Sequence, residues 1–350
     1  MIVWLTMPVE IREGQHVTDK VRLVRRLGGG GMGSVWAAEH TGLGQEVAVK
    51  FLDPELAADA ALVERFWREA KAASQVKSAH VVHIYDFGVL EGEQPFIVME
   101  LLEGQDLADR AAAAGGRLPM HEVVTVVSQL ARALARAHDT GIVHRDLKPA
   151  NVVLCREAGD QMFVKLVDFG IAQFAGPVAH RTRAGIALGS AAYMAPEQAE
   201  GKRVDGRADL YAVGVVMHEL LTGEVPFLGK TSRETLEIMH STRAPSAVGD
   251  HGAGQVSEQL AKLVQKCMAK RPEDRFETAD ELRKALLDVA SLAPDRSDST
   301  QVMAATRFGA RGIANLGRTA KGMSTTAVLG MAFAFAFGIL IGILILRWGH

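Results

Sequence analysis

A β-rich lobe followed by an α-rich lobe, an α+β fold class, with one membrane span at the far end, is what this 350-residue sequence predicts. Three observations carry that expectation. Apolar residues alternate or gather in short β-rich runs broken by glycines as far as Glu100. They then recur mostly at helical spacing to about Leu287, and from Ala327 to Leu346 no charged residue occurs. Strands set against helices leave a cleft between two lobes, where ligands usually bind.

In the first lobe, Val21 to Leu27, Ser34 to Glu39 and Gln45 to Leu52 read as strands. Gly28, Gly30 and Gly33 lie between the first two in a G-x-G-x-x-G spacing that dinucleotide-binding turns share. Such turns open a helix at the third glycine, whereas Val35-Trp-Ala37 continues as strand. The glycines therefore belong to a hairpin tip, where missing side chains let backbone N–H groups approach phosphate oxygens. Lys50 ends the run Val47-Ala-Val-Lys50 on the returning strand and can meet such a phosphate as a point charge if an acid holds it. A single helix over about 54–75, with Leu62, Phe66, Ala70 and Ala73 on one side, offers Glu69 at the edge of its packed stripe. Two more strands end at Phe96 to Glu100, and the clearest later helices fall around 121–139 and 208–221.

His144, Arg145, Asp146, Lys148 and Asn151 crowd into eight residues between apolar flanks, the mark of a polar loop of fixed shape held between short strands. Asp168 ends another apolar strand and is followed by Phe169 and Gly170, a turn able to present its carboxylate to a metal. The totals are those of an ordinary globular protein: 48% apolar, 23% charged, net charge −2. Nothing in that balance calls for a nucleic-acid partner. Two cysteines without ligand spacing, Cys155 and Cys267, fit small buried apolar groups in a reducing compartment.

Taken in order, Gly28 to Gly33, Val47 to Lys50, His144 to Asn151, Asp168 to Gly170 and Ala195-Pro-Glu197 make the chain resemble the protein kinase family over about residues 17–288. Lys148, two residues after Asp146, is similar to the serine/threonine branch, and Tyr193 to Gln198 with Arg271 to Phe276 resembles the eukaryotic-like kinases of bacteria. The resemblance implies a bilobal kinase fold, and a non-specific serine/threonine protein kinase using ATP with Mg²⁺ or Mn²⁺. It implies Asp146 as the base for the acceptor hydroxyl, Lys148 steadying the phosphoryl group, Lys50 held by Glu69, and Asn151 and Asp168 as metal ligands. Leu27, Gly28, Gly30, Gly33, Val35, Ala48, Lys50, Met99, Glu100 and Leu102 would line the nucleotide. The segment between Asp168 and Glu197 would be an activation loop, with Thr182 the autophosphorylation site paired with Arg145 and with Ser190 lining the substrate site. A membrane-anchored pseudokinase or scaffold is the alternative, and it predicts loss of Lys50, Asp146, Asn151 or Asp168, all of which are present.

Ahead of this domain, Met1 to Met7 is apolar but short, with no basic residue before Arg12, and makes a poor signal peptide. Residues 1–16 are an N-terminal extension. Residues 289–326, rich in Ser and Gly, read as a flexible tether. As a helix, residues 327–346 would span about 30 Å, a bilayer core, leaving 347–350 as a tail. Arg307, Arg311, Arg318 and Lys321 without a nearby acid mark the cytoplasmic side, placing the large domain in the cytoplasm on a single-pass anchor of a bacterial inner membrane. Gly330, Ala334, Gly338 and Gly342 put small residues on one face, where two spans could pack as a homodimer.

Overall fold

The computed structural model describes residues 10–30, 33–90, 94–156, 162–169, 188–242, 245 and 256–292. The chain divides into two compact units, Met1–Leu292 and Ala293–His350. The expected span and its small-residue face lie outside the described residues.

Six strands form the first sheet: β1 (His16–Thr18), β2 (Val21–Gly30), β3 (Gly33–His40), β4 (Gln45–Leu52), β5 (Ile84–Leu90) and β6 (Gln94–Glu100), in the spatial order β1-β2-β3-β4-β6-β5. All neighbouring pairs are antiparallel, so directly opposed residues share a face. Trp36, Ala38, Val47, Val49, Phe51, Phe96 and Val98 pack together on one face. The other face carries Leu52 and Ile97 against helix α2 (Ala60–Gln75), which contributes Phe66 and Ala70.

The single helix expected over 54–75 is two. A four-residue helix, α1 (Pro54–Ala57), precedes α2, and Asp59 caps the second by accepting a hydrogen bond from the Ala61 amide. Asp is a favoured N-cap because its carboxylate satisfies an amide that has no partner in the first turn.

After β6 the chain passes through β7 (Gly104–Asp106) into α3 (Leu107–Ala113) and α4 (Met120–Asp139). Val123, Val126, Val127, Leu130, Leu134 and Ala137 follow the 3.6-residue period of α4 and are all buried. A 3-10 turn (Pro149–Asn151) leads into β8 (Val152–Arg156) and β9 (Met162–Leu166), which with β7 make a second sheet, β7-β8-β9. Among the described residues the remaining α-helices are α5 (Leu188–Ala191), α6 (Pro196–Ala199), α7 (Arg207–Thr222), α8 (Ser232–Ser241), α9 (Glu258–Cys267) and α10 (Ala279–Leu292). Helix α7 is buried on nearly every side, as an apolar-all-round helix must be, and stops at Gly223, whose φ of 82° suits a residue without a Cβ. Helix α10 runs to Leu292, past the expected boundary at 288.

Candidate active site

Register alone brings much of the first lobe's chemistry together. Gly28 on β2 opposes Val35 on β3, and Val35 opposes Lys50 on β4, so the three lie side by side. Ala48, two residues before Lys50 and on the same face, opposes Met99 on β6. Ala48 is buried, Met99 half-buried, and Leu27 exposed at the rim. A Cβ added at Gly28 or Gly30 would meet nothing within 4 Å, which leaves the hairpin surface open to a ligand. Gly33 is different. Its φ is +139°, and a Cβ there would come within 1.9 Å of the Phe51 carbonyl oxygen, so this glycine is required by the close approach of β4.

Lys50 donates to Asp168 Oδ1 at 2.6 Å, joining the sheet to the turn after β9. Burial works to lower the Lys50 ammonium pKa, but Asp168, then Glu69 and Asp146, outweigh it and hold the value above normal. Burial likewise works to raise Asp168, and Lys50, with His144 and Lys148 further off, holds it below the carboxylate range. Glu69, expected to hold Lys50, makes no ion pair with it; the lysine pairs with Asp168 instead. Half-buried on α2, Glu69 is pushed up to about 8, first by desolvation, with Lys50 opposing and Asp168 and Asp146 adding to the rise.

The polar loop is fixed from below. Arg145 has φ of 67° and Asp168 φ of 52°, left-handed conformations that cost a non-glycine residue energy unless the surroundings impose them. Asp209, buried near the start of α7, imposes the first: it accepts from the backbone amides of His144 at 2.9 Å and Arg145 at 2.8 Å, and bonds His138 Nε2 at 2.7 Å. Gln198 Nε2 donates to the Arg145 carbonyl at 3.0 Å. His144 Nε2 bonds the Val167 carbonyl, and its ring packs on Phe169 with centroids 4.7 Å apart, coupling the loop to the turn that carries Asp168.

On top of this support Lys148 Nζ donates to Asp146 Oδ2 at 2.8 Å and to Ser190 Oγ at 3.1 Å. Asn151 Nδ2 donates to the Asp146 carbonyl at 2.7 Å and to Oδ2 at 3.2 Å. Asp146, Lys148, Asn151 and Ser190 thus form one bonded cluster. Lys50, Glu69 and Asp168 are near enough to perturb one another's charge, and Asp146 acts on both Lys50 and Glu69. Thr182 lies outside the described residues.

Beyond β6, Leu102 is half-buried, and the Glu100 carboxylate accepts from Lys165 Nζ at 2.8 Å and from the His83 amide at 3.2 Å. Arg275 meets Glu197 through two bonds of 2.6 and 2.8 Å, both side chains buried, and also donates to the Ala269, Lys270 and Arg207 carbonyls. Sequence reasoning missed Asp209, Gln198 and Lys165. Asp209 left a faint signal, an acid in the first turn of a largely apolar helix; the other two left none.

The described donors suit a nucleoside triphosphate with a hard divalent cation: an open glycine hairpin, a half-buried lysine, and an aspartate and an asparagine offering oxygen. The profile of the family described as the protein kinase domain matches residues 21–286. The chain is 44% identical over 265 residues to serine/threonine-protein kinase Pkn1 of Myxococcus xanthus, a match covering 76% of this chain and 37% of the relative. It is 38% identical over 282 residues to serine/threonine-protein kinase PknB of Mycobacterium leprae, covering 80% of this chain and 44% of that one. The chain therefore spans less than half the length of these relatives. Among solved structures, the crystal structure of the Mycobacterium tuberculosis PknI kinase domain matches with a TM-score of 0.62 at 30% identity, covering 80% of this chain and 99% of that one.

Proposed function

We propose, because the chain belongs to the protein kinase domain family, that it transfers the terminal phosphoryl group of ATP to serine or threonine hydroxyls of proteins, from a membrane anchor. The observation that carries the reading is the meeting of the Lys50–Asp168 pair with the Asp146–Lys148–Asn151 cluster. Phosphoryl transfer needs alignment and charge neutralisation more than covalent help. Mg²⁺, when bound, would neutralise phosphate oxygens, and Asp168 with the Asn151 amide oxygen would hold it. Asp146 would take the proton of the acceptor hydroxyl as its oxygen bonds phosphorus and the bond to the ADP oxygen breaks. Lys148 would hold the phosphoryl oxygens, and Ser190, bonded to Lys148, would keep that ammonium over the site. Lys50 would bind phosphate oxygens, and Glu69, whose charge already acts on it, would serve as its carboxylate partner when Asp168 holds the metal. Met99 would guard the back of the adenine pocket, and the backbone from Glu100 to Leu102 would pair with the base.

Thr182, between Arg181 and Arg183, is the proposed autophosphorylation site, its phosphate pairing with Arg145. The uncharged run 327–346 and the basic residues before it support the membrane anchor and a cytoplasmic domain. The test is labelled ATP with Mg²⁺ and generic protein acceptors. Label should appear on serine and threonine, and Asp146→Asn should lower turnover about 10²- to 10⁴-fold while nucleotide binding survives. Unchanged turnover in the variant, or label on small molecules only, would end the reading.

A further inference from the structure

β9 is an outer strand of the second sheet: β8 pairs with it on one side and, among the described residues, a single bridge from Val81 to Leu166 touches the other. Val164 and Leu166 are fully buried, so their outward N–H and C=O groups need partners. Two side chains stand where a neighbouring strand would. Gln129 on α4 donates from Nε2 to the Met162 carbonyl and accepts the Val164 amide at Oε1, both at 3.0 Å, the two-way exchange that strand backbones make. His80, buried between α2 and β5, brings Nδ1 to 2.9 Å from the Val164 carbonyl; a carbonyl only accepts, so Nδ1 carries the proton. Its ring stacks on Phe163 with centroids 4.5 Å apart. The His80 carbonyl accepts from the Leu166 amide at 2.8 Å, and the Leu166 carbonyl from the Val82 amide at 3.0 Å. From the Met162 carbonyl to the Leu166 carbonyl, every outward group of the edge is therefore paired.

Two residues beyond Leu166 stands Asp168. Val167, between them, belongs to the polar loop's support: its amide donates to the Asn151 carbonyl at 3.0 Å, and its carbonyl bonds His144 Nε2 at 3.0 Å. The loop thus fixes the turn, while Gln129 and His80 fix the strand that delivers it. We propose that Gln129 and His80 are positioning residues for the phosphoryl-transfer site: gripping the Val164 peptide from both sides, they set where β9 ends and so where the Asp168 carboxylate meets a divalent cation. This rests on the reading of Asp168 as a metal ligand. Groups that orient a metal ligand from outside change metal affinity about 10- to 100-fold when lost. Gln129 and His80 act through the main chain rather than on the carboxylate itself, so their loss has the smaller effect, about fivefold.

The test measures how far Mg²⁺ tightens the binding of a non-hydrolysable ATP analogue to the intact chain in detergent micelles, by titration calorimetry well below the unfolding temperature. Gln129→Met keeps the length of the side chain and loses both hydrogen bonds. His80→Phe keeps a ring against Phe163 and cannot donate, whereas His80→Asn gives up the ring and keeps a donor near the place of Nδ1. The tightening should fall about fivefold in Gln129→Met and His80→Phe and stay within about twofold of wild type in His80→Asn, with metal-free affinity little changed in all three. A ring that serves packing alone would give the reverse, sparing the Phe variant and harming the Asn variant. That reversal, or tightening unchanged in Gln129→Met or in His80→Phe, would overturn the proposal. So would a Val164 amide that exchanges hydrogen in the wild type as fast as an unprotected one, a measurement that needs no variant to fold. Tightening that survives in Asp168→Asn would instead overturn the reading of Asp168 as a metal ligand, and with it this role for β9.

Discussion

Glu69 shows how one residue's surroundings set a measurable property. Desolvation raises its carboxyl to about 8 from 4.5, so between those values the folded state holds a proton that the unfolded state has released. A folded value above the unfolded one makes this group's contribution to stability complete below about pH 4.5 and lost as pH rises through about 8. Nucleotide-free wild type should therefore lose more stability from pH 5 to pH 8 than Glu69→Gln, whose side chain does not titrate. Thermal unfolding of both proteins at the two pH values measures it; equal slopes would remove the assignment. Asp146 has a different kind of setting. With Lys148 and Asn151 both donating to Oδ2, its other oxygen is the one that would meet the acceptor hydroxyl in the proposed reaction.

At the scale of elements, the β2–β3 hairpin separates two uses of glycine. Gly33→Ala should lower the melting temperature, because its Cβ strikes the β4 backbone and its φ suits only glycine. Gly28→Ala should leave the melting temperature near wild type and raise the KM for ATP, since its Cβ meets open space where phosphate would lie. Reversal of these outcomes would place the phosphate elsewhere. The α6–α7 region is held by Arg275, which brings Glu197 and three carbonyls to one guanidinium. Arg275→Met leaves the Glu197 carboxylate buried without its partner and should cost about 3–5 kcal/mol, read by denaturant unfolding. A loss below about 1 kcal/mol would mean that water reaches Glu197.

At the scale of the whole molecule, the proposed span and the tether read before it would set how often two domains meet. Small residues at 330, 334, 338 and 342 suit close packing of two helices, which would let one domain phosphorylate Thr182 of another. Gly338→Leu should lower chemical crosslinking of the chain in membranes and slow Thr182 phosphorylation; crosslinking equal to wild type would argue against a dimer through the span.

How much of this was legible in sequence follows from the range of each signal. Strand and helix periods, the glycine hairpin and the charged loop are local patterns, fixed by side-chain alternation and backbone preference over a few residues. They fixed the order of the described elements, apart from the break at Asp59, a cap that periodicity does not register, and they singled out Lys50, Asp146, Lys148, Asn151 and Asp168, which the fold draws into bonded groups. What the tertiary structure alone decided is pairing between distant segments: Lys50 with Asp168 rather than Glu69, Asp209 beneath His144 and Arg145, Lys165 on Glu100. Each depends on which buried groups find a partner when the elements pack. That choice is set by desolvation and geometry across the fold, and beyond the acid in helix α7 a linear chain carries no local trace of it.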